Sequence, residues 1–172
     1  MAEQETNGGG NGGDNTQPQV SIFAQYVKDL SVENPSAPEV YSWQVQPNLD
    51  VQFNLNVQGA GEGVHEVTLK FDISARSDNG VHFIVDLSYA GLFAIRNVPE
   101  EALPPFLLIE APRLLFPFAR QVISEAVSNT GFPPLMLDPI DFAAAYMAQV
   151  DVAQQQEIGG GGGGTEPAPS EA

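Results

Sequence analysis

The sequence has no cysteine and few basic residues. Without cysteine, the chain cannot form disulfides, thiolate nucleophiles or cysteine-ligated zinc sites. Six Lys and Arg residues stand against 22 Asp and Glu residues, which gives a formal charge of −16 at pH 7. Such a chain cannot neutralise nucleic-acid phosphates and is repelled by anionic membranes. We therefore expect no nucleic-acid partner and a surface that attracts basic proteins.

Signals for membrane targeting are scarce as well. No uninterrupted apolar run approaches the 18 or more residues of a membrane span. The opening segment MAEQETNGGG has neither the basic n-region nor the apolar h-region of a signal peptide. These features predict a cytoplasmic protein without direct membrane insertion.

Residues for catalysis are also few. Neither His65 nor His82 belongs to an HExxH helix, and the chain has no GxSxG motif. We interpret both histidines as surface residues and predict that the chain is not an enzyme and binds no metal or other cofactor. The alternative, a small-molecule enzyme on an α+β scaffold, has no candidate catalytic residues in this sequence.

Glycine-rich and polar segments flank the central part of the chain. Residues 1–18 contain almost nothing that could be buried, and residues 157–172 combine a glycine run with a Pro/Ala/Glu tail. Both compositions are typical of disordered segments. We predict a disordered tail over 1–18, one folded domain over 19–156, and a disordered glycine-rich tail over 157–172.

Four segments alternate apolar and polar residues with a period of two, which is typical of half-buried strands. They span 20–33, 49–58, 64–75 and 81–89, and short turn sequences join the last three. In the first segment the even positions are mostly apolar, with Phe23 and Val27 as exceptions among the odd positions. This order predicts an antiparallel meander with one apolar and one solvated face.

Helical sequence follows the strands. Prolines break the apolar segment 90–111, which predicts an extended crossover loop, and a helix should follow over about 112–128. Asp138 at the N-cap and Pro139 at the first helical position predict where the last helix begins. The fold class is therefore α+β: a four-stranded antiparallel meander with an extended crossover loop and two C-terminal helices packed on one face.

The helix over 112–128 is apolar nearly all round. A helix on one sheet needs an apolar stripe of only about 100°. The surplus favours burial against a second copy of the chain, as a dimer or a dimer of dimers. The alternative is a helix enclosed within its own domain.

The two faces of the predicted sheet differ in charge. One face collects six acidic residues, with Ile84 as an apolar neighbour and Lys70 as the only expected cation; the six are Asp29, Glu33, Asp50, Glu66, Asp72 and Asp86. This face is either a dock for a basic partner or an ordinary solvated surface. The apolar face could hold an extended peptide beneath the crossover, or its residues could simply close the core.

Five separated motifs of this chain resemble the protein-export chaperone SecB family. They occur in order over residues 20–155: YVKDLSVENPSAP (Tyr26–Pro38), Trp43, YAGLFAI (Tyr89–Ile95), LLFPFAR (Leu114–Arg120) and GFPPLMLDPIDFAAAYM (Gly131–Met147). The resemblance implies an ATP-independent chaperone that holds unfolded preproteins in a translocation-competent state and delivers them to the SecA translocation ATPase. It also implies a homotetramer, a dimer of dimers, with 19–156 as the chaperone domain.

The resemblance also implies site residues. The SecA-binding positions match Asp29, Glu33, Ile84 and Asp86. The positions of the client-binding groove match Leu49, Val51, Phe53, Phe93, Ile95, Tyr146 and Val150. The glycine-rich C-terminal tail departs from the family pattern, which leaves open whether it takes part in SecA binding. An alternative function is a SecB-like chaperone dedicated to a single partner, such as an antitoxin.

Overall fold

Four long strands form one antiparallel sheet in the structure, a computed structural model that describes residues 15–159. The strands are β1 (Gln19–Glu33), β2 (Asn48–Gly61), β3 (Val64–Ser77) and β4 (Gly80–Arg96), and their spatial order is β1-β4-β3-β2. Most of the two predicted tails lies outside the described residues, so their disorder stays a prediction.

The predicted meander is correct for β2, β3 and β4 but wrong for β1. Tight turns join the last three strands, whereas β1 pairs with β4 at the sheet edge opposite β2. Residues 34–47, which include a 3₁₀ turn at Glu39–Ser42, connect the two edges of the sheet. This order is that of a Greek key, in which a long connection brings the first and last strands together.

Two β-bulges in β1 change which of its side chains share a face. The pairing with β4 shifts between Ile22 and Ala24 and again between Val27 and Asp29, so that Phe23 and Lys28 are extra residues. The bulges explain why Phe23 and Val27 broke the alternation in the sequence. They also correct the assignment of two even positions, because Ala24 and Tyr26 lie opposite Leu92 and Ala90 on the polar face and not on the apolar face.

The core lies between the apolar face of the sheet and helix α2 (Ala111–Asn129). Alternate residues of the two central strands point to this helix, and Leu115, Ala119 and Ile123 meet them with no exposed surface. Gly91 allows the close approach, because a Cβ atom at this position would lie 2.7 Å from Leu115 Cδ2. A side chain here would therefore force the Leu115 side chain to move from its buried position.

The predicted extended crossover over 90–111 is not a loop: residues 90–96 continue β4, and the rest is mostly helical. After β4 and a short link, one helical segment runs from Glu100 to Asn129. Before α2 it comprises a 3₁₀ turn (Glu100–Ala102), the turn α1 (Leu103–Pro105) and a π-helical turn (Phe106–Glu110). Pro104 and Pro105 fit the first turns of a helix, where a proline loses no hydrogen bond. The two prolines therefore stand at a helix start and do not break a helix, contrary to the prediction from the sequence.

The segment Glu100–Asn129 is also long and apolar enough to cross a membrane by length and composition, contrary to the sequence expectation. Its inner side packs on the sheet through Leu115, Ala119 and Ile123, as in the core helix of a globular domain. We therefore keep the prediction that it does not enter a membrane.

The last helix, α3 (Phe142–Gly159), begins later than predicted. Asp141 is its capping residue, because the Asp141 carboxylate accepts a hydrogen bond from the Ala144 backbone N–H at 3.0 Å. Asp138 and Pro139 belong instead to the non-helical connection before it. Phe142 inserts its ring between Phe53 of β2 and Phe116 of α2, with centroid distances of 5.9 and 6.2 Å. This contact anchors α3 beside the β2 edge.

Candidate functional site

The open face of the sheet brings together the four residues predicted to bind SecA. In the pairing of β1 with β4, Glu33 lies opposite Ile84, and Asp29 lies two residues before Ser31, which is opposite Asp86. Glu33 and Asp29 are exposed, and Ile84 and Asp86 are half-buried. The four residues form one surface on two neighbouring strands, which we call the acidic surface.

Asp72 also belongs to the acidic surface, although it was not among the predicted SecA-binding residues. It lies directly opposite Asp86 in the pairing of β3 with β4. A hydrogen bond with Asp72 raises the pKa of the Asp86 carboxyl, and burial and the charge of Asp72 act in the same direction. Lys70 Nζ lies 3.9 Å from the Asp72 carboxylate, but both groups are about half exposed and the pair contributes little.

A second group of polar side chains crosses the same face farther along the strands. The Glu66 carboxylate accepts hydrogen bonds from Lys28 Nζ at 2.6 Å, from Gln58 Nε2 at 2.8 Å and from the Tyr26 hydroxyl. Lys28 is thus a second cation on this face, where the sequence had indicated Lys70 alone. The hydrogen bond to Glu66 raises the pKa of Tyr26 to about 12.

His82 is not the surface residue that the sequence indicated. It is 3% exposed, its Nε2 lies 2.8 Å from the Ser77 hydroxyl, and its ring meets Trp43 edge-on at 5.0 Å. A bulge near Ala75 and Arg76 takes His82 out of the regular alternation and into an aromatic cluster. His82 therefore closes one end of the core.

On the opposite side of the sheet, three hollows follow one another along β2. The first, of about 350 Å³, lies at Leu49 and Val51; the second lies at Phe53 and Leu55; the third, of about 420 Å³, lies at Val57. We call this row the β2 groove. Its other wall comes from the connection before α3, from α3 itself and from the start of the long helical segment: Leu135, Met136, Leu137, Ile140, Tyr146, Leu103, Pro104, Leu107 and Leu108.

The predicted groove residues divide into two sets. Leu49, Val51 and Phe53 are 48%, 42% and 38% exposed and lie in the β2 groove, and Tyr146 also lines it. Two others are corrected: Phe93 and Ile95 are core residues, 0% and 6% exposed. The ring of Phe93 packs edge-on against Phe106 at 6.0 Å, because the segment expected to stand away from the sheet is a helix lying on it.

Val150 is half-buried on α3 and lines none of the three hollows. Sequence reasoning also missed the wall formed by Leu135, Met136 and Ile140. Its signal was the apolar run Leu135–Leu137 between the two predicted helices, whereas Ile140 had been assigned to the predicted last helix.

Within residues 15–159, no three carboxylate or imidazole side chains come together as metal ligands. The described chain offers a negatively charged sheet face and an apolar groove on the opposite side. Charged and apolar surfaces of this kind are typical of a protein that binds other proteins.

Comparison with known proteins identifies the family. The model of the family SecB, preprotein translocase subunit SecB, matches residues 13–154. The protein-export protein SecB of Zymomonas mobilis is 57% identical over 151 residues, which cover 88% of each chain. The SecB of Sphingopyxis alaskensis is 52% identical over 147 residues, 86% of each chain. The chain belongs to the SecB family, and these relatives support the function of a protein-export chaperone.

A solved structure agrees with the fold. The SecB-like chaperone Rv1957 of Mycobacterium tuberculosis, in complex with a peptide from the HigA1 antitoxin, has a TM-score of 0.58 and 16% identity, covering 70% of this chain and 90% of that one. At this identity the likeness shows a shared α+β fold only. The alternative of a chaperone dedicated to an antitoxin is not favoured, because the relatives at about half identity are export proteins. The family is generally non-enzymatic, and nothing in the comparisons indicates a catalytic activity.

We predict that Asp72→Asn stabilises the protein at pH 7. The pKa of Asp86 is raised in the folded protein, so at a pH above that pKa the ionised Asp86 beside Asp72 lowers the free energy of unfolding. This cost disappears once the pH falls below the ordinary Asp value of about 3.9. The substitution should lower the Asp86 pKa in an NMR titration and raise the free energy of unfolding by about 0.2–1 kcal/mol, toward the lower end because the site is partly exposed.

The matched control for this prediction is Asp50→Asn, on the same face. Asp50 lies opposite Ser74 and has no carboxylate partner across the strand. The stability gain of Asp72→Asn should shrink as the pH falls below about 4. An equal gain for both variants at pH 7 would show that overall negative charge, and not the Asp72–Asp86 pair, is responsible.

Proposed function

We propose that the chain is an ATP-independent chaperone that holds unfolded preproteins in the β2 groove and delivers them to the SecA ATPase through the acidic surface. It acts in the cytoplasm as a homotetramer, a dimer of dimers. One observation carries the proposal: an exposed apolar groove and an exposed acidic surface lie on opposite sides of the same sheet.

The β2 groove suits an extended, unfolded client. From Leu49 to Val57 it follows eight residue steps of one strand, which corresponds to about 26 Å at the rise of a β-strand. Its walls are largely apolar, and each large apolar client side chain buried there contributes about 1.5–3 kcal/mol at most. Apolar contact does not depend on a particular sequence, so several weak contacts along one chain give affinity for many clients.

Val51→Asp should weaken the binding of an unfolded preprotein by about tenfold, or about 1.4 kcal/mol, because it places a charge in the first hollow of the groove. Affinity can be measured by fluorescence anisotropy with a labelled, reduced preprotein in the absence of ATP. The control is Gln52→Asp, which adds the same charge on the opposite face of the same strand. Equal weakening by both variants, or none by Val51→Asp, would contradict the assignment of the groove.

The acidic surface suits a basic partner. Asp29, Glu33, Asp72 and Asp86 lie on three neighbouring strands with Ile84 among them. Carboxylates arranged around a small apolar residue can steer a basic surface by charge and then bury one apolar contact. Strands fix these side chains more rigidly than loops would, so little conformational entropy is lost when SecA binds.

Asp29→Lys should weaken SecA binding by about tenfold at low salt and leave preprotein binding unchanged. The reason is that a positive charge within the acidic surface repels a basic partner but is far from the groove. Surface plasmon resonance at two salt concentrations provides the measurement, with Glu62→Lys in the exposed β2–β3 turn as the control of equal charge change. Loss of preprotein binding in step with SecA binding would contradict two separate surfaces.

Self-association is supported by apolar area at one edge of the sheet. β1 is an edge strand, and its residues on the helix side remain exposed: Val20, Ile22, Val27, Leu30 and Val32. On α2, Leu114 and Phe118 are 47% and 48% exposed. The outer edge of β1 has no strand partner among the described residues, and a second copy could supply one.

Phe118→Asp should reduce the mass measured by multi-angle light scattering from four chains to two or one, because the charge would be buried between copies. Ser128→Asp, an exposed position at the end of the same helix, should leave four chains. A wild-type chain that scatters as a monomer at micromolar concentration would contradict the proposed assembly.

A further inference from the structure

Lys28 is, like Lys70, a cation among the carboxylates of the open face. It is the only basic residue of β1 and precedes Asp29 directly in sequence. It is the extra residue of the second β1 bulge, and its side chain extends over the open face that carries the acidic surface. An ammonium group here would be expected to pair with Asp29 and weaken the attraction for a basic partner.

Glu66 prevents that pairing by holding the ammonium group elsewhere. Lys28 Nζ lies 2.6 Å from Glu66 Oε1, and the Glu66 side chain is only 10% exposed. Lys28 reaches diagonally across β4, because it lies beside Ser88 whereas Glu66 lies opposite Leu92; the residue of β4 between these two on the same face is Ala90, whose side chain is only a methyl group. The contact thus joins the first and third strands of the sheet.

The other neighbours of Glu66 keep its carboxylate in place. Gln58 Nε2 donates to Oε1 from β2 at 2.8 Å, and the Tyr26 hydroxyl donates to Oε2 from β1. Hydrogen bonds from Lys28 and then Tyr26 lower the pKa of Glu66, so it is ionised at any pH at which a chaperone works. An ionised, hydrogen-bonded carboxylate of this kind forms a much more stable pair with Lys28 than exposed Asp29 could.

We propose that Glu66 is a positioning residue for the acidic surface, which keeps that surface negative by holding the Lys28 ammonium group away from Asp29. This inference rests on the proposed docking function and adds to it a residue that does not itself touch the partner. Removing the Glu66 charge should weaken the binding of a basic partner in two ways. One negative charge disappears, and the positive charge of Lys28 becomes free beside Asp29.

Three variants test the proposal by their affinity for SecA. Glu66→Gln keeps the shape of the side chain and should weaken SecA binding about fivefold. Adding Lys28→Gln to this variant should restore the affinity to within about twofold of wild type, because residue 28 then carries no positive charge beside Asp29. Glu62→Gln, with the same loss of charge in an exposed turn, should change the affinity less than twofold.

The rescue separates a charge effect from a structural one. If Glu66 served only to hold the strands together, removing Lys28 as well would not restore binding, and that result would overturn the proposal. If Glu66→Gln fails to fold, Glu66→Asp replaces it, since it keeps the charge and withdraws the carboxylate by one methylene group. A smaller weakening, caused by the released Lys28 ammonium group alone, and its rescue by Lys28→Gln are then expected.

The experiment also distinguishes this inference from the proposed function. If wild type and Glu62→Gln bind SecA and Glu66→Gln binds equally well, the positioning role fails and the docking function stands. If wild type does not bind SecA, the docking function fails. The role of Glu66 is then tested with an oligo-arginine peptide in place of SecA. Glu66→Gln should bind this peptide more weakly than wild type, and adding Lys28→Gln should restore the affinity.

Discussion

The bulge at Lys28 decides which side chains of β1 reach the open face of the sheet. With one extra residue between Val27 and Asp29, both Asp29 and Glu33 lie on the polar face, while Leu30 and Val32 lie on the helix side. In a regular strand the alternation would continue from Val27, and the two carboxylates would point toward the helix. The acidic surface and the apolar β1 surface therefore both depend on this one irregularity, which the contacts of Tyr26 and Lys28 with Glu66 stabilise.

The sheet separates the two proposed activities. The groove lies along β2 on one face, and the carboxylates of β1, β3 and β4 lie on the other, so the two surfaces belong to one sheet but share no side chains. Helix α2 packs its buried side on β3 and β4, between the groove and the apolar edge of β1. A client held in the groove would thus leave the acidic surface free for a second partner.

Much of this arrangement could be predicted from alternation alone. The segment 49–58 alternates without a fault, and its residues Leu49, Val51 and Phe53 share the apolar face as predicted. Alternation could not show that β1 pairs with β4, because the pairing partner of a strand depends on contacts distant in sequence. It also could not show that Phe93 and Ile95 are covered, since Pro104 and Pro105 suggested an open loop where they begin a helix. Asp72 and Lys28 acquired their roles only through cross-strand neighbours.

The central claim is that one sheet binds a client and SecA on separate surfaces at the same time. The most direct measurement is the affinity of SecA for the wild-type chain, first alone and then saturated with an unfolded preprotein too short to reach SecA by itself. The account predicts a ternary complex and a SecA dissociation constant that changes by less than about threefold, or about 0.7 kcal/mol of coupling. If SecA binds only by displacing the preprotein, the two surfaces are not separate and the account is contradicted.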